Sequence, residues 1–215
     1  MKKTGDYIAI IDYQVSNLYS VKHACDAIGI ESVITSDPEV LLGAKAAILP
    51  GVGAFGDAMK NLEKFRLIHP IKNFIASKRK FMGVCLGMQL LFEESSEFGT
   101  HKGLQIIKGD VVKFPSVNSK KQSVKIPQIG WNTIYPSRER DWKQTPFFGM
   151  KKYTYMYFVH SFYVRPKEKK VILSNTTYEG VAYCSAILEK NVFAVQFHPE
   201  KSGKAGLEIY KKWVF

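Results

Sequence analysis

Through its first hundred residues the chain alternates short apolar runs with amphipathic stretches, the rhythm of β-α-β units in a parallel sheet. Tyr7 to Asp12 reads as a buried strand. Leu18, Val21, Cys25 and Ile28 then recur at helical spacing up to Gly29, which predicts a helix with an inward apolar stripe. Ser32 to Thr35 reads as a strand, Pro38 to Leu42 as a short helix, and Ala46 to Leu49 as a strand running into Pro50-Gly51-Val52-Gly53. Helical segments are expected around Asp57 to Phe65 and His69 to Ser77, a strand over Phe81 to Val84, and a helix over Leu86 to Glu94.

From about Leu104 the texture changes to β-branched and aromatic runs broken by Pro and Gly, as expected of largely antiparallel strands. Gln105 to Phe114, Tyr153 to Val164, Val171 to Thr176, Val181 to Leu188 and Val192 to Phe197 are the strand candidates. Ser202-Gly203 opens a last helix with Leu207, Tyr210, Trp213 and Val214 on one face. With no internal repeat, low-complexity tract or linker, the pattern predicts one α/β domain over residues 1–215. It would hold a mixed, largely parallel sheet flanked by helices, with antiparallel strands in the C-terminal half.

Composition narrows the function classes. Hydrophobic residues make up 46% of the 215 and charged residues 23%, which excludes a disordered basic tail. The formal charge is +12, and residues 102–170, with 15 basic and 4 acidic side chains, carry +11 of it. A basic excess raises a nucleic-acid reading, but no recognised binding motif accompanies it. Cys25, Cys85 and Cys184 are scattered and odd in number, which fits neither a disulfide framework nor a zinc site and points to a reducing compartment. Met1-Lys2-Lys3 is followed by too short an apolar run for a secretory signal, and no window approaches a membrane span. A cytoplasmic protein without metal or other cofactor is expected.

The chemistry concentrates in Phe81-Met82-Gly83-Val84-Cys85-Leu86-Gly87-Met88-Gln89, a strand meeting a helix with Gly-x-Cys-x-Gly at the junction. This is the nucleophile-elbow pattern with cysteine in place of serine. The sharp turn brings the residues two before and two after the nucleophile too close for side chains, and Gly83 and Gly87 sit there. A helix N-terminus at Cys85 would favour thiolate, and the Leu86 amide would point at a reacting carbonyl oxygen. The plain alternative is a buried cysteine between two packing glycines.

A thiolate nucleophile needs a base and a group to orient it. His23 and His69 fall in helices and His101 in a loop, while His160 follows an aromatic run. His198 ends the run Val192 to Phe197 and is followed by Pro199-Glu200. In extended chain Glu200 would share a face with His198, although His-Pro-Glu could also be an ordinary strand exit. A zinc-deaminase reading fails because no cysteine follows Cys184. Gly51-Val52-Gly53 lacks the spacing and Lys-Ser/Thr of a phosphate loop and better suits donation of an amide to an oxyanion.

Together these residues resemble the class I glutamine amidotransferases, and among them most nearly the glutaminase subunits of imidazole glycerol phosphate synthase. The resemblance rests on Leu49-Pro50-Gly51-Val52-Gly53-Ala54-Phe55, Gly83 to Phe92, Gly130-Trp131-Asn132, Tyr157-Phe158-Val159-His160-Ser161 and Gln196-Phe197-His198-Pro199-Glu200-Lys201-Ser202. It implies that Cys85 attacks the side-chain amide of L-glutamine, that His198 carries the proton to departing ammonia, and that Glu200 holds the imidazole. It implies Gly53 and Leu86 as oxyanion donors, with the Val52-Gly53 peptide reoriented when the synthase partner acts, and Gln89, His160, Ser161 and Phe162 as substrate-binding residues. From the residues alone, Gln89 could equally be a solvated helix residue and His160 a satisfied strand histidine. The implied partner is a separate (β/α)8-barrel cyclase subunit in a heterodimer, with no nucleic acid and no membrane. The chain has room for the glutaminase alone, and ammonia must reach its acceptor unprotonated.

Two motifs depart from the family's pattern. The usual Asp-Tyr-Gly-x-Gly-Asn is Asp12-Tyr13-Gln14-Val15-Ser16-Asn17, and the usual His-Met-Gly-Trp-Asn is Gln128-Ile129-Gly130-Trp131-Asn132. Both lie in regions the family turns toward its partner, so an alternative acceptor is a synthase that adds amidino groups to surface-polysaccharide sugars. The basic segment 102–170 contains the second motif and is expected to steer an acidic rim of the partner.

Overall fold

The computed structural model describes residues 5–14 and 17–215. Met1 to Lys3, and Val15 and Ser16 of the departing first motif, lie outside the described residues. In chain order the elements are β1 (Gly5–Ile11), α1 (Leu18–Ala27), β2 (Ser32–Thr35), α2 (Pro38–Gly43), β3 (Ala44–Leu49), α3 (Phe55–Lys64), α4 (Ile68–Ala76), β4 (Lys80–Val84) and α5 (Leu86–Gln89). The second half adds β5 (Glu94–Ser95), β6 (His101–Lys102), β7 (Gly109–Lys113), β8 (Gln128–Pro136), β9 (Thr154–His160), β10 (Phe162–Pro166), β11 (Ile172–Tyr178), β12 (Val181–Glu189), β13 (Val192–Val195) and α6 (Gly203–Val214).

Five parallel strands, in the order β2-β1-β3-β4-β13, form the heart of the sheet. Beyond β13 the neighbours β12, β10 and β7 run antiparallel to one another, and β11 leads from β12 to the β8–β9 hairpin. The α/β class with antiparallel strands in the C-terminal half is therefore as the pattern predicts.

Alternation along each parallel strand divides the core into two layers. Ala9, Ile11, Ala47, Leu49 and Phe81 face one layer, with Phe55 and Leu62 of α3 and Ile71 and Phe74 of α4. Ile8, Ile10, Ala46, Ile48, Met82 and Val84 face the other, with Val21 and Cys25 of α1 and Ile209, Tyr210 and Trp213 of α6. Strands apolar on both faces belong between helices, which is why the runs look continuous in sequence. Helix α1 ends where its pattern does: Gly29 takes φ 71°, and the Ile30 amide donates back to the Cys25 carbonyl at 2.9 Å. Asp37 caps α2 by accepting from the Glu39 amide at 2.8 Å.

Several boundaries differ from the pattern. The helix expected over Leu86 to Glu94 stops at Gln89. The carbonyls of Leu90, Leu91, Phe92 and Glu93, which a longer helix would use, accept instead from the backbone of residues 103–107. Tyr153 to Val164 divides at Ser161 into β9 and β10, and the run from Gln105 forms a strand only from Gly109. The nine-residue β8 was not foreseen, because its exposed Ile129 and Trp131 blur the alternation. Among the described residues, no helix is long and apolar enough to cross a membrane.

Three of the fifteen basic side chains of residues 102–170 enter ion pairs among the described residues, so most of the basic excess is not neutralised. Arg165 pairs with Asp110, Lys167 with Glu93 at 2.7 Å and Lys170 with Glu168 at 2.8 Å. Lys151 and Lys152, between the arms of the β8–β9 hairpin, enter no ion pair among the described residues; Lys152 lies 5.0 Å from the Tyr153 ring centre.

Candidate active site

The loop Pro50–Gly53, Cys85 and His198 follow the carboxyl ends of β3, β4 and β13, three adjacent parallel strands. Strand order thus gathers groups far apart in sequence at the edge where open α/β sheets hold ligands. Cys85 takes φ 53°, ψ −110°, a conformation that costs a non-glycine residue about 1–3 kcal/mol. The glycines make that turn possible. A Cβ on Gly83 would lie 2.8 Å from the Gly87 carbonyl oxygen, and one on Gly87 would overlap the Leu49 carbonyl of β3. The strand-to-helix turn is as the spacing predicts, and Cys85 stands at the N-terminus of α5, which is a single turn long.

His198 and Glu200 are joined as the sequence suggests and by a different route. Pro199–Lys201 form a 3₁₀ turn, not extended chain. Within it His198 Nδ1–H donates to Glu200 Oε1 at 2.8 Å, and both side chains are buried. Asn17, at the start of α1, donates to the same oxygen at 2.6 Å, and Tyr210 of α6 donates to Oε2 at 3.5 Å. Burial raises the Glu200 carboxyl, but His198 and Asn17 outweigh it and hold the group below its ordinary range. Burial likewise disfavours imidazolium, yet the Cys85 sulfur and Glu200 together lift His198 to about 10. His198 Nε2 is buried without a hydrogen bond, and the Cys85 thiol has the Val159 carbonyl at 3.9 Å.

A cavity of about 300 Å³ opens on Cys85 and is lined by Val52, Gly53, Leu86, Gln89, Glu97, Pro127, Val159, His160, Ser161 and Phe162. It brings together Cys85, the two expected oxyanion residues and the four expected substrate residues. The expected oxyanion donors are not both poised: the Leu86 amide donates to the Gly51 carbonyl at 3.3 Å, and Gly53 holds φ 107°. Gly51 is pressed against Tyr13, whose hydroxyl donates to the Pro50 carbonyl at 2.7 Å. A larger hollow of about 700 Å³ beside Lys80, Phe148 and Phe215 carries none of these groups. Among the described residues, no three His, Cys, Asp or Glu side chains gather as a metal site.

Gln89 is buried and not a solvated helix residue; its Nε2 donates to the Phe162 carbonyl at 3.0 Å and to Gln196 Oε1 at 3.1 Å. His160 lines the cavity and is tied into its strand by one ring nitrogen. Its Nδ1–H donates to the Phe162 carbonyl at 2.8 Å, and its Nε2 lies 3.3 Å from the Tyr183 hydroxyl. Burial holds it neutral, lowering its pKa to about 4. Tyr183 donates to Gln128 Oε1 at 2.9 Å while Gln128 Nε2 is buried without a partner, so the residue that departs from the family's usual histidine joins a buried polar network and leaves one donor of it unpaired. Sequence reasoning gave no role to Gln196, Tyr183 or Asn17, although Gln196 opens one of the quoted motifs and Asn17 closes another. Gln196 had a legible sign, being polar in an otherwise apolar run.

The family profile "Glutamine amidotransferase class-I" matches residues 9–215. The imidazole glycerol phosphate synthase subunit HisH of Geobacter metallireducens is 43% identical over 207 residues, covering 96% of each chain. That of Aquifex aeolicus is 45% identical over 205 residues, covering 95% of this chain and 94% of the other. Subunit HisH 1 of Methanococcus maripaludis is 46% identical over 211 residues, covering 96% and 98%. The fold also matches a glutamine amidotransferase crystal structure at a TM-score of 0.71 and 17% identity, covering 98% of this chain and all of that one. PurLQS from Thermotoga maritima matches at 0.69 and 18%, covering 100% and 98%.

Proposed function

The chain belongs to the class I glutamine amidotransferases, and from that premise we propose that Cys85, His198 and Glu200 are its catalytic triad within a glutaminase domain spanning residues 1–215. It is the glutaminase subunit of imidazole glycerol phosphate synthase, acting in histidine biosynthesis. The observation that carries the triad is the His198–Glu200 bond at 2.8 Å, set one strand away from a cysteine on a strained elbow.

L-glutamine enters the cavity with its side-chain amide over Cys85. The thiolate attacks the amide carbon while protonated His198, held by Glu200, delivers a proton to the departing ammonia. A glutamyl thioester remains. His198 then takes a proton from water as the water attacks, and glutamate leaves with the thiolate restored. The tetrahedral oxyanion takes the amides of Leu86 and Gly53, which requires the Leu86 amide to leave Gly51. The loop Gly51–Gly53 is therefore the part that must move before the site is complete. Gln89, His160, Ser161 and Phe162 bind the glutamine.

The ammonia passes to a separate (β/α)8-barrel cyclase subunit, in a heterodimer in the cytoplasm, and no nucleic acid is involved. The docking face is the outer side of the β8–β9 hairpin, where Ile129, Trp131 and Tyr155 are exposed and Trp131 meets Tyr157 edge-on at 6.1 Å. Large exposed aromatics in one patch mark an interface. The relatives favour the histidine acceptor over the amidino-sugar alternative, since those at 43–46% identity over nearly the whole chain are imidazole glycerol phosphate synthase subunits.

The test is a glutaminase assay with and without the barrel subunit, on wild type and Cys85→Ala. Glutamate release should fall by at least about a thousandfold in the variant, and activity surviving the substitution would sink the mechanism. Addition of the cyclase's ribonucleotide substrate should yield imidazole glycerol phosphate. A complex that consumes glutamine and never makes that product does not serve the histidine pathway.

A further inference from the structure

We propose that Gln196 is a further residue of the catalytic machinery, donating a side-chain N–H to the sulfur of Cys85 while fixing the orientation of Gln89. The proposal rests on Cys85 being the nucleophile. Gln196 is wholly buried at the end of an apolar run, and its backbone amide already donates to Ser185 at 2.9 Å. Burying a carboxamide is costly unless it is hydrogen-bonded, and a leucine or methionine would pack there at no such cost. The reason for glutamine must lie in what its side chain touches.

It touches two things. Gln196 Oε1 accepts from Gln89 Nε2 at 3.1 Å, and its Nε2 lies 3.6 Å from Cys85 Sγ. The direction of these bonds is not arbitrary. The Phe162 carbonyl can only accept, so the group of Gln89 that faces it is the NH2. That NH2 has its second hydrogen on Gln196, which turns the Gln196 carbonyl toward Gln89 and its own NH2 toward the sulfur. A fixed backbone acceptor thus sets the polarity of two carboxamides in turn, and the ladder ends by presenting a donor to the nucleophile. Both hydrogens of Gln89 are committed, so its Oε1 remains as the acceptor for a bound glutamine.

A donor at that place acts on the thiolate more than on the thiol, because a hydrogen bond to an ionised acceptor is roughly twice as strong as to a neutral one. The one-turn α5 offers no long dipole for the purpose. Around Cys85 stand His198 after β13, Tyr13 after β1 and Tyr183 of β12, with Glu200 behind His198 and Glu97 on the cavity wall. Burial raises both tyrosines, so they stay neutral and His198 is the cation of the group. Gln196 is the neutral donor beside it.

Two near-isosteric variants separate the roles. Gln196→Met removes the N–H; Gln196→Glu keeps an acceptor for Gln89 and puts a carboxylate oxygen at the sulfur. The measurement is iodoacetamide alkylation of Cys85 in the full chain across pH, followed by peptide mass, together with glutaminase kinetics of the complex with the barrel subunit. In Gln196→Met, alkylation of Cys85 should slow about tenfold relative to wild type at the acid end of the range, where the lost donor no longer favours the thiolate. KM for glutamine should rise as Gln89 loses its anchor, and Gln196→Glu should be the slower of the two. Alkylation and kcat/KM within twofold of wild type in Gln196→Met overturns the proposal, while Cys85→Ala remaining inactive keeps the nucleophile reading. If neither variant folds, the wild-type chain supplies the answer. The side-chain ¹⁵N–¹H signals of Gln196 should shift when Cys85 is alkylated, and signals that stay in place overturn the proposal.

Discussion

The backbone amide of His198 donates to the carbonyl of Tyr157 at 2.9 Å, which hangs the proposed proton carrier from strand β9. Tyr157 also meets Trp131, and Lys201 lies 5.9 Å from its ring centre, so one strand touches both the exposed patch and the triad. Ser202 tightens the same joint, its hydroxyl accepting from the Tyr157 amide at 3.0 Å and donating to the His198 carbonyl at 2.6 Å. A partner that presses on Trp131 presses on the frame that holds His198.

Trp131→Ala tests that connection. Trp131 is 56% exposed, so its truncation should leave the melting temperature within a degree or two of wild type. Stimulation of glutamate release by the barrel subunit should fall by about tenfold or more at a fixed partner concentration, in line with the loss of an aromatic anchor. Titration of the partner into both proteins checks it. Full stimulation in the variant would place the docking face elsewhere.

His160 makes stability depend on pH in a defined window. Its folded pKa of about 4 lies below the ordinary 6.5, so the unfolded chain binds its proton first as pH falls. The stability it permits is complete above pH 6.5 and is lost progressively as pH drops toward 4, by about 3 kcal/mol in all. Urea midpoints of wild type and His160→Gln between pH 7.5 and 4.5 check this. The variant should show the shallower slope over that interval, and identical slopes would mean His160 is protonated in the folded protein.

Gln14 occupies a place where the family uses glycine, and it takes φ 62° with its side chain exposed. A left-handed backbone costs an ordinary residue about 1–2 kcal/mol, whereas glycine adopts it freely but loses roughly 0.5–1 kcal/mol of chain entropy. Gln14→Gly should therefore stabilise the protein by about 0.5–1 kcal/mol. The bond from the residue 14 amide to Asp12 Oδ1, 2.8 Å, survives the change. Thermal unfolding measures it, and a lower melting point would show that Gln14 makes a contribution its contacts do not reveal.

The charge prediction concerns rates. We expect Lys151 and Lys152, beside the exposed hairpin, to steer an acidic partner surface. Reversing both to Glu should slow association with the barrel subunit about tenfold at low salt and much less near 0.5 M. Stopped-flow measurements at several salt concentrations decide the matter, and an on-rate indifferent to salt counts against it.

Local chemistry was legible in the sequence, and tertiary chemistry was not. Gly83 and Gly87 announced the elbow because close backbone approach excludes every other residue there, and His198 and Glu200 announced each other by their spacing. The same spacing misled about shape, since a 3₁₀ turn and an extended strand can both bring residues two apart together. Leu90 to Phe92 read as helix because their side chains are apolar, and nothing local shows that residues 103–107 will claim their carbonyls. Gln196 was visible as an oddity in a run of core residues. Its partners Gln89 and Cys85 are more than a hundred residues away, and only the sheet order brings them within reach.

That order also fixes when the site can exist during synthesis. Strand β13 enters between β4 and β12, so the middle of the sheet is completed by the last strand made, and the histidine arrives with it. A nascent chain that has emerged through Gln89 already carries its thiol and its elbow glycines but has neither base nor carboxylate to arm them. On the proposed mechanism Cys85 therefore stays dormant on the ribosome until long-range pairing closes the sheet, a slow and non-local step by its topology.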